Sequence, residues 1–341
     1  MKKTTLIKIH SAFLLLLSSV QLSAQDLHFS QFMNSPLTTN PANAGFIPEA
    51  DYRIGANYRQ QWTSIPVPYK TISVWGDVQV FRNRFENGWM GVGGLILSDV
   101  AGRGNLRSNK VYGSVAYHQM LGLSSLLSAG FNVGIANKRV DLTKFTFDNQ
   151  WNGKFFDGGI PSGEFGLVNP NTTYFDLQVG MNYAYFPNEK TYINTGVSVH
   201  HVNEPVETFF TGADNKLARR YIGFLNGSFK MSDMLILNPN AYFSYQTRAS
   251  ELVMGGNAAY NLAGDGSKVL ILGAYYRLND AAIAMAGFEM NNIRFTLTYD
   301  ATNSQLRNFN NAAGAYEFSL IRSGFYNDYF GDKRQSLCPR F

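Results

Sequence analysis

The chain has 341 residues, 14% of them aromatic and only 16% charged, with 32 glycines. Soluble domains carry about 25% charge, and a helical membrane protein would be far more apolar than a mean hydropathy of −0.16. One cysteine, Cys338, excludes an internal disulfide framework and a multi-cysteine metal site, and 29 basic against 24 acidic residues give little reason to expect a nucleic-acid partner.

The first residues read as a secretory signal. Lys2, Lys3 and Lys8 form a basic start, Ala12 to Leu17 an apolar run, and Ser23-Ala24 a small-residue cleavage site before Gln25. This assigns residues 1–24 to a signal peptide. It also places three of the basic residues in the leader. No later stretch reaches 18 consecutive apolar residues, so no transmembrane helix is expected after cleavage.

Residues 25–50 are expected to form a periplasmic N-terminal extended segment, lying at the periplasmic mouth or folded into the lumen. Ser35-Pro36 and Asn40-Pro41 disfavour helix just before each proline, and Gly45 permits a turn into the first strand.

From Asp51 the chain divides into stretches of about ten residues with period-two alternation, the pattern of strands that face lipid on one side and a lumen on the other. In 126–136, Leu127, Phe131, Val133 and Ile135 oppose Ser128, Asn132 and Gly134; in 292–300, Ile293, Phe295, Leu297 and Tyr299 oppose Arg294, Thr296, Thr298 and Asp300. The polar face carries mostly Gly, Ser, Thr, Asn and Gln, as a lumen would. A sandwich facing bulk water would fill it with Lys and Glu.

Fourteen such stretches are predicted: 52–62, 70–81, 89–98, 107–118, 126–137, 173–186, 191–201, 217–230, 234–246, 251–262, 268–278, 281–290, 292–301 and 313–322. Links after even-numbered strands are short and turn-like, whereas the long links, 138–172, 202–216 and 302–312, all follow odd-numbered ones. That segregation suits the two ends of an outer-membrane barrel, with the long loops outside the cell. The fold expected is all-β: a single closed antiparallel transmembrane β-barrel of about 14 strands over 51–322, followed by a C-terminal periplasmic tail, 323–341. Aromatics near strand ends, such as Trp62, Phe81, Trp89, Tyr185 and Phe309, suit interfacial girdles.

No catalytic signature stands out: there is no G-x-S-x-G elbow, Walker loop or H-E-x-x-H. Gly91-Val92-Gly93-Gly94 lies within a strand and is read as a place of curvature or close backbone approach. The mature histidines are His28, His118, His200 and His201; the adjacent pair on a strand would point to opposite faces, so no metal site is expected. Ser198 and His200 share a strand face, but no acidic orienter accompanies them. Asp77, Asp176, Glu289, Arg294 and Asp300 are candidates for a solvated or internally paired lining. The loop 138–172 concentrates Phe145, Phe147, Trp151, Phe155, Phe156 and Phe165. It either folds inward as a plug or presents a partner-binding surface.

Several blocks carry a more specific mark. Asp26-Leu27-His28-Phe29-Ser30-Gln31-Phe32-Met33-Asn34, Asn40-Pro41-Ala42-Asn43-Ala44-Gly45, Tyr58-Arg59-Gln60-Gln61-Trp62, Ser98-Asp99-Val100-Ala101-Gly102 and the ending Cys338-Pro339-Arg340-Phe341 resemble the PorP/SprF family of outer-membrane proteins. These serve the type IX secretion and gliding machinery of Bacteroidetes. The resemblance implies a non-enzymatic barrel, without cofactor, that works with periplasmic machinery components and a large secreted surface protein such as an adhesin. Asn40, Pro41, Gly45, Tyr58, Arg59 and Trp62 are the matching positions of interest, with Arg59 a candidate lumen contact and Trp62 an interfacial one. Outer-membrane lipid is the remaining expected partner. A passive porin or small-molecule transporter is the alternative.

Overall fold

The computed structural model describes residue 27 and residues 29–48, 50–62, 69–161, 163, 168–305 and 307–326. The expected signal peptide, His28, Phe165, most of the expected tail and the ending Cys338 to Phe341 lie outside them.

Fourteen strands form one sheet. The first seven are β1 (Tyr52–Gln61), β2 (Tyr69–Phe85), β3 (Gly88–Ala101), β4 (Leu106–Met120), β5 (Ser125–Arg139), β6 (Asn171–Asn188) and β7 (Thr191–His200). The rest are β8 (Arg220–Lys230), β9 (Leu235–Gln246), β10 (Ala249–Asn261), β11 (Lys268–Arg277), β12 (Ala281–Met290), β13 (Ile293–Thr302) and β14 (Ala313–Gly324). Each pairs antiparallel with its sequence neighbours, and β1 pairs with β14 from Tyr52↔Gly324 to Gln61↔Ala315, closing the barrel. Closure leaves no unpaired edge, which hydrocarbon would not tolerate.

Alternation sorts the side chains as expected. Ile54, Ile96, Val111, Ile135, Phe175 and Leu272 stand exposed on the outer wall, while Asn57, Ser73, Ser114, Asn132, Asn182 and Thr298 are buried on the inner one. The links after β2, β4, β6, β8, β10 and β12 are turns of two to six residues; the longest, 140–170 and 201–219, follow β5 and β7. Strand boundaries shift where local geometry intervenes. β1 stops before Trp62, whose φ of 53° leaves extended space, and β8 begins at Arg220 rather than 217 because Lys216 bridges Val206 inside the preceding loop.

Ahead of β1 the expectation of an extended segment fails. Residues 32–43 form three short helical turns, Phe32–Asn34, Pro36–Thr39 and Pro41–Asn43, two of which open on a proline. The prolines do keep Ser35 and Asn40 non-helical, as the sequence suggests. The same fixed φ, however, starts a turn at the proline itself. The Asn40 side chain then caps the last turn by accepting the Ala42 N–H at 2.9 Å.

Of the two placements expected, mouth or lumen, the described residues take the second. The Leu27 carbonyl accepts from Arg220 at the long-loop end, and the Ile47 carbonyl accepts from Gln79 towards the short-turn end. Residues 29–48 therefore run along the lumen and fill it, with Phe29, Phe32, Leu37, Ala42, Ala44 and Phe46 all buried. Phe32 packs in a cluster with Ile222, Tyr242, Val253 and Tyr275; Leu37 and Ala44 pack with Trp75, Leu95 and Tyr112.

The two-sided wall makes a depth-dependent test. Val133 faces outward about midway along β5, opposite Gly113, and Asn137 faces outward near its long-loop end. Val133→Arg is expected to cost about 2–4 kcal/mol and Asn137→Arg at most about 1 kcal/mol, read by denaturant unfolding in lipid vesicles.

Candidate functional site

The lumen is organised around the segment that fills it, and three tiers of contacts hold that segment.

At the long-loop end, Glu317 of β14 accepts the backbone N–H groups of Ser30 and Gln31 at 2.8 and 2.9 Å. Arg59 of β1 bridges Glu317 and Asp300, each at 3.0 Å, and also donates to the Ser30 hydroxyl. Arg277 of β11 reaches Asp300 at 3.1 Å and Glu251 at 2.9 Å. Charges so deeply buried are tolerable only when paired and hydrogen-bonded. Here the backbone of the plug supplies two of the donors.

In the middle tier, wall side chains meet plug carbonyls and amides. Ser198 donates to the Thr39 carbonyl at 2.7 Å, and Asn182 donates to Asn43 Oδ1 at 2.9 Å. The Asn40 amide donates to the Met181 and Val197 carbonyls at 2.9 and 3.2 Å. Gly180 lies beneath it, and a Cβ there would stand 2.0 Å from Asn40 Oδ1.

At the short-turn end the Gly45 N–H donates to Asp77, which Arg53 clamps at 2.7 Å. The Trp89 indole donates to the Gly45 carbonyl at 3.0 Å and stacks on His118, 5.0 Å between centroids. His118 Nε2 lies 2.8 Å from the Ala44 carbonyl, which can only accept, so Nε2 carries the proton and Nδ1 accepts from Ser128. Gly91 is the contact that leaves least room: a Cβ would sit 1.8 Å from the Ala44 oxygen. Close backbone approach, one of the two readings of this glycine-rich strand, is what the structure has at Gly91.

Of the residues singled out in sequence, Asn40, Pro41 and Gly45 belong to the plug and Arg59 faces it from the wall. Tyr58 points outward, its hydroxyl donating to Gln60 at 3.0 Å and its ring near Phe318. The Trp62 ring packs edge-on against Tyr69 at 4.8 Å, and its backbone N–H donates to the Gly314 carbonyl. The remaining lining candidates are internally paired. Glu289 meets Arg294 at 2.7 Å, and Asp176 receives the Tyr112 hydroxyl at 2.6 Å and His201 at 2.9 Å.

The two histidines do not oppose each other across the sheet. His201 has a φ of 57° and leaves the strand, so both rings are buried, with centroids 6.4 Å apart. Among the described residues no group of three or more His, Cys, Asp or Glu is placed to hold a metal ion. Ser198 and His200 do come within 3.5 Å, yet the serine hydroxyl is committed to Thr39 and buried behind the plug.

The loop after β5 keeps most of its described aromatics exposed. Trp151 and Phe156 pair edge-on at 5.2 Å and remain about half exposed, as do Phe145 and Phe155; Phe147 is partly covered beside Phe145 at 6.5 Å. A second loop extends this surface. Phe210, 58% exposed, bridges Val168, and Asn169 N–H donates to the Phe209 carbonyl at 2.6 Å. Sequence reading missed Phe210, because nothing in spacing ties residues 201–219 to residues 140–170. At the foot of the loop Asp141 accepts from the Thr143 hydroxyl and amide, which hold its carboxyl below the ordinary range.

Two outcomes are expected. Glu317→Ala leaves Arg59 without one partner and two plug amides without an acceptor, costing about 3–5 kcal/mol. Gly91→Leu displaces Ala44 sterically. Each should raise hydrogen exchange across residues 30–46 while the wall strands stay protected. Separately, a depressed carboxyl pKa contributes its order above the unfolded value and loses it as pH falls through the folded one. The Thr143 amide should thus keep its protection through the usual carboxylate range and lose it only below, as hydrogen exchange against pH would show.

A family model described as "Type IX secretion system membrane protein PorP/SprF" matches residues 21–321. No curated protein matches the chain. Among solved structures, the deltaS2 mutant of the TodX monoaromatic hydrocarbon channel is similar at 9% identity, over 84% of this chain and 93% of that one, with a TM-score of 0.50. The CymD monoaromatic hydrocarbon channel is similar at 11% identity, over 89% and 95%, with a TM-score of 0.49. The Ralstonia pickettii toluene transporter TbuX follows at 8% identity, over 84% and 92%, with a TM-score of 0.47. At such identities the likeness is one of fold. With a closed, outwardly apolar barrel and a family match across most of its length, the chain belongs to the PorP/SprF family of type IX secretion membrane proteins and is an outer-membrane β-barrel.

Proposed function

We propose that this barrel is a non-enzymatic attachment component of the type IX secretion and gliding machinery, which helps to export, or retain at the cell surface, a cognate large secreted protein such as an adhesin. The long-loop end faces outside the cell, and the aromatic surface of Phe145, Phe147, Trp151, Phe155 and Phe156 meets the partner. The short-turn end faces the periplasmic components.

The observation that carries this reading is the filled lumen. A diffusion pore needs an aqueous path, whereas here residues 29–48 are packed against the wall from one end to the other. A barrel that does not conduct can still hold something. The half-exposed aromatics on two loops tied together by the Val168↔Phe210 bridge offer the rigid, amphipathic anchors that protein interfaces favour.

Two measurements test it. Purified protein in planar bilayers should give no large steady conductance; if wild type conducts steadily, the passive-porin reading takes its place. Mild-detergent purification from outer membrane should recover secretion components or a large surface protein with wild type. Trp151→Ala with Phe155→Ala should lower that recovery about tenfold or more, two anchor residues being worth on the order of 1–2 kcal/mol each.

A further inference from the structure

The outer wall is not uniform around its circumference. Near the long-loop end the outward positions of β8, β9, β11, β13 and β14 are Tyr221, Tyr245, Tyr276, Tyr299 and Tyr316. This is an aromatic girdle of the ordinary kind. Across β2 to β5 the corresponding positions are different. Lys70, Val100, Arg107 and Arg139 are cross-strand neighbours in one registered row, Lys70↔Val100, Val100↔Arg107 and Arg107↔Arg139. Lys70, Arg107 and Arg139 are all exposed.

Two arginines directly opposed on adjacent strands, with side chains rooted about 5 Å apart, repel each other. Such a pair persists at little cost when an anion sits between them. No ion pair links Lys70, Arg107 or Arg139 to a carboxylate among the described residues. Asp141, which interacts electrostatically with Arg139, forms no ion pair with it and accepts from the Thr143 amide and hydroxyl through Oδ1. No outward position of β2 to β6 carries a carboxylate.

The rows beneath are graded. One step down the strands the β2 position is the apolar Ile72, whereas Ser98, Asn109, Asn137 and Thr173 of β3 to β6 form a registered polar row, in which Ser98 donates to Asn109 at 2.7 Å and Asn137 to Thr173 at 2.8 Å. A further step down, Val74, Ile96, Val111, Ile135 and Phe175 are exposed and wholly apolar. From rim to midplane the wall therefore reads cationic, hydroxyl and amide, then hydrocarbon. That is the order phosphate, sugar or ester, acyl chain.

The geometry points to a binding strip for a phosphate-bearing lipid on the outer face of β2 to β5. Arg107 and Arg139 hold the phosphate, Lys70 contributes to the field, and the polar row meets the linkage region. The strip requires the barrel to stand in a membrane, but it is independent of any secreted partner.

Native mass spectrometry of the whole protein in mild detergent tests this, with phosphatidylglycerol, phosphatidylcholine and inorganic phosphate as probes. Wild type should retain phosphatidylglycerol in preference to phosphatidylcholine, and added salt should erode the preference. Arg107→Gln with Arg139→Gln should reduce phosphatidylglycerol retention at least about tenfold, from about 1 kcal/mol per basic residue at a membrane surface. Arg107→Lys with Arg139→Lys should keep part of it. Both positions are exposed on the wall, and an unchanged phosphatidylcholine adduct level reports an intact barrel. Equal retention of the two lipids by wild type would overturn the proposal, as would a Gln variant that retains phosphatidylglycerol normally. Displacement of the lipid by inorganic phosphate at matched concentration would reduce the strip to a small-anion site and overturn it as well.

Discussion

Hydrocarbon offers a peptide group nothing to bond with, and every feature of this molecule follows from that. The first strand must find the last, over 250 residues away in sequence, because an open edge in lipid would leave a row of amides and carbonyls unmet. Once fourteen strands have closed, the circumference is fixed, and so is an interior too wide for wall side chains to fill alone. The inner face can then be polar, provided that each buried group finds a partner. The N-terminal segment supplies several of those partners.

This explains the otherwise costly cluster at the long-loop end. Arg59, Arg277, Glu251, Asp300 and Glu317 come from five strands of one arc of the barrel, β10, β11, β13, β14 and β1, and none could be buried by itself. Linked through Ser30 and Gln31, they form a network that is both seam and clamp. It ties β1 to β14 and ties both to the plug. The short-turn tier adds shape to its polar contacts. There Asp77, Trp89 and His118 bond the backbone of Ala44 and Gly45, Gly91 and Gly45 meet backbone to backbone, and an indole-imidazole stack closes over them. An ionic network at one end and a close-fitting hydrogen-bonded seat at the other hold the segment in register.

How much of this could be read from residues alone depends on the range of the interaction. Period-two alternation is a local property, so Leu127, Phe131, Val133 and Ile135 announced their strand and the strand number came out right. Arg59 was recognisable as a lumen contact because it sits on the polar face of β1. Its partners were not, since Asp300 and Glu317 meet it only through the closing register. Asp300 stood out merely as a charge on a lumen face, and Glu317 did not stand out at all. The prolines misled for a related reason. Each constrains the residue before it and initiates the one after, and only packing decides which effect governs the shape of 29–48. Fold and motif carriers were thus legible, and a segment folded into the lumen was one of two readings of 25–50; the contacts that seat it there were not legible.

The plug is continuous with β1, and this restricts how it can ever leave. Its downstream end is rooted where Asp51 donates its N–H to the Gly324 carbonyl, at the short-turn rim. Displaced from its seat, the segment would remain a leash anchored at that rim, reaching roughly 70 Å if its 22 or so residues were drawn straight. Any partner that pulled it out would be handed a flexible arm on one side of the membrane and an emptied conduit at the same moment.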